Sequence, residues 1–183
     1  MESIVVVCTG NICRSPVAEG VLRDLLPHEL SVSSAGTHAE EGSPAAPEAI
    51  EFVARAVGTV LDHTARQLTR AHAESSSLLL TMTVEHRAWI ARLAPRTVRR
   101  TFTLEEFAVL LEALPADRGG ATSMVDLAQS ASMLRPRLLA GAPNVDIEDP
   151  YRGPAEGYEK SFTEVLDASR RIARAIPQLL PRL

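Results

Sequence analysis

Four consecutive β-branched residues, Ile4-Val5-Val6-Val7, run without a break into Cys8-Thr9-Gly10-Asn11-Ile12-Cys13-Arg14-Ser15-Pro16. An apolar run of this kind reads as a strand buried on both faces, the type found in parallel sheets covered by helices. Ser15 and Pro16 then read as a helix start, with Ser15 as the capping hydroxyl and Pro16 at the first position, where a missing N–H is no loss. Strand, short loop and helix N-terminus follow in the order that brings loop amides and a positive helix end together around an anion. Cys8 and Arg14 bracket five residues, enough for one loop to curl around a tetrahedral oxyanion. The thiol would stand at the floor of that loop and the planar guanidinium would fork onto two oxygens. The same field favours the thiolate form of Cys8, the nucleophilic state. A cysteine and an arginine at this distance also fit a plainer reading, a buried strand-end thiol beside a solvated cation. The surrounding order of elements is what favours the anion cradle.

The alternation of elements continues downstream. Val17, Ala18, Val21, Leu22, Leu25 and Leu26 form the apolar stripe of a helix that Pro27 ends, and a strand follows around Leu30 to Ser33. After a loop holding Ala35-Gly36-Thr37, Pro44 and Pro47, the residues Ala49, Ile50, Val53, Ala54 and Val57 mark a helix stopped by Gly58. Leu78 to Met82 reads as a buried strand, Val84 to Leu93 as a helix closed by Pro95, Val98 to Phe102 as a short strand and Leu104 to Leu114 as a helix. The stretch Pro115 to Pro143, helical in pattern over Ser123 to Leu139, is an excursion on this scaffold. The acidic loop Asp146 to Tyr151 follows, then a terminal helix with Phe162, Val165, Leu166, Ser169, Ile172, Ala173 and Ile176 on one face. The pattern predicts an α/β fold. It is a doubly wound, mainly parallel four-stranded sheet flanked by helices, with an extra helical segment before the C-terminal acid loop and a ligand site at the carboxyl ends of the strands.

With 183 residues and 45% hydrophobic content, the chain can bury one sizeable core, so a single domain over 1–183 is expected. Formal net charge is −4 and the basic residues are spread along the sequence, which argues against a nucleic-acid partner or a polybasic membrane anchor. Two cysteines five positions apart make no disulfide framework, and no second Cys or His pair stands at zinc spacing, so neither metal nor cofactor is expected. No cationic segment with a long apolar run opens the chain and no run reaches membrane-spanning length, which predicts a cytoplasmic protein without membrane insertion. Oligomeric state is not legible in these residues.

A thiolate that displaces an alcohol or phenol from phosphate leaves an oxyanion needing a proton and a thiophosphate needing water. One carboxyl group can serve as acid first and base second. Asp149 is placed for this because Pro150 holds it extended and fixes the loop direction, with Tyr151 at the rim. The alternative is that Asp146, Glu148 and Asp149 are ordinary solvated loop acids.

Val7 through Pro16, Ser34-Ala35-Gly36-Thr37, His63-Thr64-Ala65-Arg66-Gln67-Leu68 and Asp149-Pro150-Tyr151 stand in the order seen in low-molecular-weight protein tyrosine phosphatases, and the chain resembles that family over nearly its whole length. The resemblance implies a phosphate-binding loop of Thr9, Gly10, Asn11, Ile12, Cys13, Arg14 and Ser15. It implies a Cys8 phosphocysteine intermediate, Arg14 on the phosphoryl oxygens, and Asp149 as acid and base. Asn11 would brace the loop in an unusual backbone conformation with Ser34 and His63 in support, and Ser15 would hydrogen-bond the Cys8 thiolate. Cys13 matches a second loop cysteine that can form a reversible disulfide with the nucleophile; the other reading is a small buried filler. The implied substrate is a phosphotyrosine protein or a small aryl phosphate.

The chain departs from the family pattern at three places. His38-Ala39-Glu40-Glu41-Gly42 lacks the aromatic residue that would stack on the phenyl ring, so an incomplete aryl pocket is expected, with Glu40 and Glu41 repelling acidic substrates. Arg152 follows Tyr151. The Pro115 to Pro143 excursion is longer than the usual link and is expected to cover the site or bind a partner. Other functions stay open on the same residues: an arsenate reductase using an external small thiol, a phosphopeptide-binding module, or a redox sensor built on Cys8 and Cys13.

Overall fold

A computed structural model describes residues 2–115, 121–138 and 145–180. In chain order the elements are β1 (Glu2–Cys8), α1 (Arg14–Leu25), β2 (Leu30–Gly36), α2 (Pro47–Val57), α3 (Arg70–Ser75), β3 (Leu78–Thr81) and α4 (Val84–Leu93). A 3-10 helix (Pro95–Arg100) leads into β4 (Thr101–Thr103), α5 (Leu104–Glu112), α6 (Met124–Leu138) and α7 (Ala155–Leu179). The four strands are ordered β2-β1-β3-β4 and every pairing is parallel.

The β1 run explains the two-faced core. Ile4, Val6 and Cys8 point to one side, where they join Val17, Val21, Phe52, Phe107 and Phe162. Val5 and Val7 point to the other, against Leu79, Ile90 and Ala94. Burying each such aliphatic side chain contributes about 1.5–3 kcal/mol, so a strand apolar on both faces is stable only with helices on both. The connection from β1 through α1 to β2 covers the first face, and that from β3 through α4 to β4 covers the second. Strand order therefore reverses between β1 and β3, and the crevice beyond their carboxyl ends is where such sheets bind ligands.

Local details differ from the sequence reading for definite reasons. The first helix begins at Arg14 with Cys13 in the capping position and no side-chain cap, so Ser15 is not the cap. Its hydroxyl is taken up by the loop. Pro16 stands third in the helix, still within the first turn where an N–H would lack a partner. Strand β2 does not end at Ser33 but runs through Ala35 to Gly36, because Cys8 pairs with Gly36 at the far end of the ladder. Gly36 there lies hard against Thr9 O, and a Cβ on it would come within 2.9 Å of Ala39 Cα. Val98 belongs to the 3-10 helix rather than to a strand; Pro95 opens that helix, and the Thr97 and Thr101 hydroxyls donate to Ala94 O and Thr97 O at 2.9 and 2.8 Å. Helix α3 was not anticipated, although Thr69, which caps it by accepting from His72 N at 3.1 Å, carried a signal.

Helix α6 realises most of the expected Ser123 to Leu139 helix; Leu139 and the segments 116–120 and 139–144 of the excursion lie outside the described residues. It buries Met124, Leu127, Ala128 and Ala131 in the larger core. Its first amide, Met124 N–H, donates to the Glu2 carboxylate at 2.7 and 2.8 Å, at the end of β1 opposite Cys8. Near its other end, Arg135 donates to Glu106 at 2.6 Å and to Thr101 O at 2.7 Å. Glu106 is buried and also pairs with Arg87 at 2.5 Å, so three elements share one carboxylate. No described residue of α6 lines the cavity at Cys8, so the part of the excursion that is described braces the scaffold and does not cover the site.

Candidate active site

The loop after β1 is built inside out. The carbonyls of Cys8, Thr9, Gly10 and Ile12 accept from Thr37 N, His38 N, Glu40 N and Ala46 N at 2.8 to 3.0 Å, and Asn11 O accepts from His63 Nε2 at 2.7 Å. These partners all lie outside the loop. No peptide bond here is cis. In a trans peptide the N–H points opposite to the preceding carbonyl, so outward carbonyls from Cys8 to Ile12 turn the amides of Thr9 to Cys13 inward. The uncapped N-terminus of α1 adds its own positive end.

At the floor, Cys8 Sγ is buried and lies 3.0 Å from Ser15 Oγ. Ser15 Oγ accepts from Asn11 Nδ2 at 3.0 Å, which leaves its own O–H to donate to the sulfur. Cys13, also buried and free, is pushed up to about 12 by burial and by the neighbouring Cys8 and Asp149 charges. It therefore stays a thiol at neutral pH.

Asn11 holds the loop shape. It is fully buried at φ 57°, a left-handed conformation that costs a non-glycine residue free energy unless its surroundings enforce it. Its Nδ2 donates to Ser34 Oγ at 2.8 Å as well as to Ser15, and its Oδ1 accepts from Arg66 N at 2.9 Å. Ser34 in turn donates to Glu19 Oε2 at 2.6 Å, and His63 Nδ1 stands 3.5 Å from the same oxygen. Ser34 and His63 thus meet around Asn11, and the Glu19 carboxylate that joins them was missed. Burial pushes the Glu19 carboxyl up; hydrogen bonds from His63 and Ser34, with the Arg23 charge, outweigh it and hold it below its ordinary value of 4.5. A depressed carboxyl contributes stability that is present above the unfolded value and is lost as pH falls through the folded one. Glu19→Gln is therefore expected to cost about 1–3 kcal/mol at neutral pH and to flatten the acid limb of the stability curve, measured by denaturant melts between pH 3 and 7.

The acid loop is tied to the same strand ends. Ile147 N donates to Met82 O at 2.9 Å, and Asp146 Oδ1 accepts from Val84 N at 2.8 Å at the start of α4. This brings Asp149 to Arg14. Arg14 NH2 pairs with Asp149 Oδ2, while NH1 donates to Ile147 O at 2.9 Å. Arg14 Nε is buried with no hydrogen-bond partner among the described residues. Nε and NH2 make the side-on edge of the guanidinium, the fork that two oxygens of one anion take. Asp149 remains partly exposed, its side chain at 45% against 3% for Arg14, and its Oδ1 accepts from Tyr151 N at 3.2 Å.

Cys8, Thr9, Gly10, Ile12, Cys13, Arg14 and Asp149 share one cavity of about 100 Å3, walled further out by His38, Glu40 and Tyr151. The 38–42 loop therefore gives this cavity an imidazole where a stacking aromatic was absent. His38 meets Trp89 of α4 edge-on, with ring centroids 6.1 Å apart. Arg152, at φ 61°, lays its guanidinium over the Tyr151 ring at 5.1 Å. Among the described residues no group of three His, Cys, Asp or Glu side chains is placed to hold a metal, and no helix is long and apolar enough to cross a membrane.

This arrangement has known counterparts. The sequence profile described as low molecular weight phosphotyrosine protein phosphatase matches residues 3–113, and the chain belongs to that family. It is a cysteine-dependent phosphatase by that membership. It is 41% identical over 100 residues to the low molecular weight protein-tyrosine-phosphatase Etp of Escherichia coli strain K12, covering 55% of this chain and 67% of Etp. A protein-arginine-phosphatase of Geobacillus stearothermophilus is 30% identical over 173 residues, 94% of this chain and 95% of that one. Among solved structures, the YwlE arginine phosphatase from Geobacillus stearothermophilus aligns with a TM-score of 0.71 at 29% identity, covering 95% and 92% of the two chains. The tyrosine phosphatase Wzb from Escherichia coli K30 in complex with phosphate aligns with a TM-score of 0.69 at 30% identity, covering 96% and 92%.

Proposed function

We propose that the protein hydrolyses phosphotyrosine in protein substrates through a Cys8 phosphocysteine. The observation that carries this is the single cavity in which the Cys8 sulfur, the Arg14 fork and Asp149 meet beneath inward-facing amides. The phosphoryl dianion and the Asp149 carboxylate compete for one guanidinium, so arrival of substrate moves Asp149 off Arg14 and leaves it beside the leaving-group oxygen. Freed from Arg14, Asp149 takes up a proton from solvent; the Cys8 thiolate then forms the S–P bond as the O–P bond breaks, and Asp149 gives that proton to the departing phenoxide. The resulting carboxylate then takes a proton from water as that water attacks phosphorus. The S–P bond breaks, inorganic phosphate leaves, and the Ser15 hydroxyl steadies the departing thiolate.

Ile12, His38 and Tyr151 present apolar and aromatic wall to the substrate, which suits a phenyl ring. A second reading is phosphoarginine in proteins. Relatives bearing that activity align over nearly the whole chain, and the Glu40 carboxylate on the cavity wall would attract a guanidinium. Measured kcat/KM on matched phosphotyrosyl and phosphoarginyl peptides separates the two. A preference for the phosphotyrosyl peptide is expected, and a reversed preference would transfer the function to phosphoarginine.

Cys13 is assigned to protection of the nucleophile. Peroxide oxidises Cys8 to a sulfenic acid, and the Cys13 thiol then displaces water to close a disulfide. Wild-type protein inactivated by peroxide is expected to recover activity in dithiothreitol, and Cys13→Ser to recover much less. Equal recovery would reduce Cys13 to packing.

A further inference from the structure

Thr9 follows the nucleophile and lines the cavity, yet its hydroxyl is tied to a side chain 77 positions away. His86 Nε2 lies 2.9 Å from Thr9 Oγ1, and its Nδ1 lies 2.8 Å from Thr83 Oγ1. His86 is 7% exposed and stands in the first turn of α4, so the contact bridges the switch between β1 and β3. Thr83 caps α4 and its oxygen accepts the His86 backbone N–H at 3.2 Å, and its own O–H is available to donate to Nδ1. A neutral imidazole that accepts at Nδ1 carries its proton on Nε2 and gives it to Thr9 Oγ1. Burial, reinforced by the Arg14 charge, pushes His86 down to about 4, so the ring is neutral over the range in which the enzyme would work. In that tautomer Thr9 has its oxygen occupied from behind and its own O–H free to turn toward the cavity.

We infer that the chain from Thr83 through His86 to Thr9 fixes the Thr9 hydroxyl as a hydrogen-bond donor to the transferring phosphoryl group. His86 is then a positioning residue that touches no substrate. The inference rests on the phosphatase reading of the Cys8 loop. Without His86 the Thr9 hydroxyl is free to rotate, and the same oxygen can present a lone pair to an incoming dianion instead of a proton. A hydroxyl donor to a charged oxygen is among the stronger neutral–ion contacts, and fixing it beforehand spares its reorganisation in the transition state.

The test is a double-mutant cycle on the full chain, read by kcat and KM for p-nitrophenyl phosphate and by inhibition with vanadate. Thr9→Val and His86→Leu are each expected to weaken vanadate binding and lower kcat/KM by about tenfold, the scale of one hydrogen bond to a charged group. His86→Leu made on top of Thr9→Val is expected to cost almost nothing further. His86→Gln, whose amide N–H can still reach Thr9, is expected to restore most of the loss at a melting temperature close to that of His86→Leu. A full His86→Leu penalty in the Thr9→Val background would overturn the inference, since His86 would then act on the fold and not through the hydroxyl. So would wild-type vanadate affinity in Thr9→Val. Wild-type protein that neither turns over p-nitrophenyl phosphate nor binds vanadate would overturn the phosphatase reading itself, and this inference with it.

Discussion

Cys8→Ser is expected to lower turnover by about 10⁴–10⁶-fold, the range seen when a hydrolase loses its nucleophile, and to leave phosphate binding measurable. The two readouts separate because they depend on different atoms. A serine hydroxyl on the same loop is a far weaker nucleophile than a thiolate. The cradle survives the change: the inward amides of Thr9 to Cys13, the α1 N-terminus and the Arg14 edge do not involve the sulfur. Steady-state assay together with calorimetric titration of vanadate checks both halves. Residual activity within tenfold of wild type would remove Cys8 from the mechanism.

Asp149→Ala should lower kcat on a phosphotyrosyl peptide by about 10²–10⁴-fold, the usual cost of losing a general acid. The size of the loss depends on the leaving group. Tyrosine phenoxide departs poorly without a proton, whereas p-nitrophenoxide departs readily, so phosphorylation of Cys8 by p-nitrophenyl phosphate should fall far less. Rapid-quench measurement of the first turnover isolates that step from the hydrolysis that follows. Equal losses on both substrates in the first step would mean that Asp149 serves binding or loop structure alone.

Much of this site could be read in the chain because its parts are local. Ile4 to Val7, Cys8 to Pro16 and the Asp149-Pro150 pair each carry their meaning within ten residues, and period and spacing expose them. What escaped was held by tertiary contact. Glu19 follows Ser15 by one helical turn and so faces the loop, but as a charge on a helix it reads as a solvent-side residue; Ser34 and His63, brought in from β2 and from the connection after α2, make it a buried hub. Thr83 and His86 carry a cap signal at three-residue spacing, yet nothing local says that the imidazole turns back to Thr9. Trp89 reaches the cavity only through His38. Ser15 shows the opposite failure: its pattern spells a helix cap, and the closure of the loop onto the Cys8 sulfur and the Asn11 amide overrode it.

The contact between Arg14 and Asp149 bears on the end of the catalytic cycle as well as its start. Once water has cleaved the thiophosphate, inorganic phosphate sits in a cradle of amides and a guanidinium well suited to retain it. Asp149 releases to solvent the proton it took from water, and as a carboxylate swings back to Arg14, repels that anion and takes over part of its binding partner. On the proposed mechanism product departure is thereby driven from within the chain, and the resting enzyme is guarded against free phosphate. On the proposed mechanism, the same aspartate that donates the proton also clears the site for the next substrate.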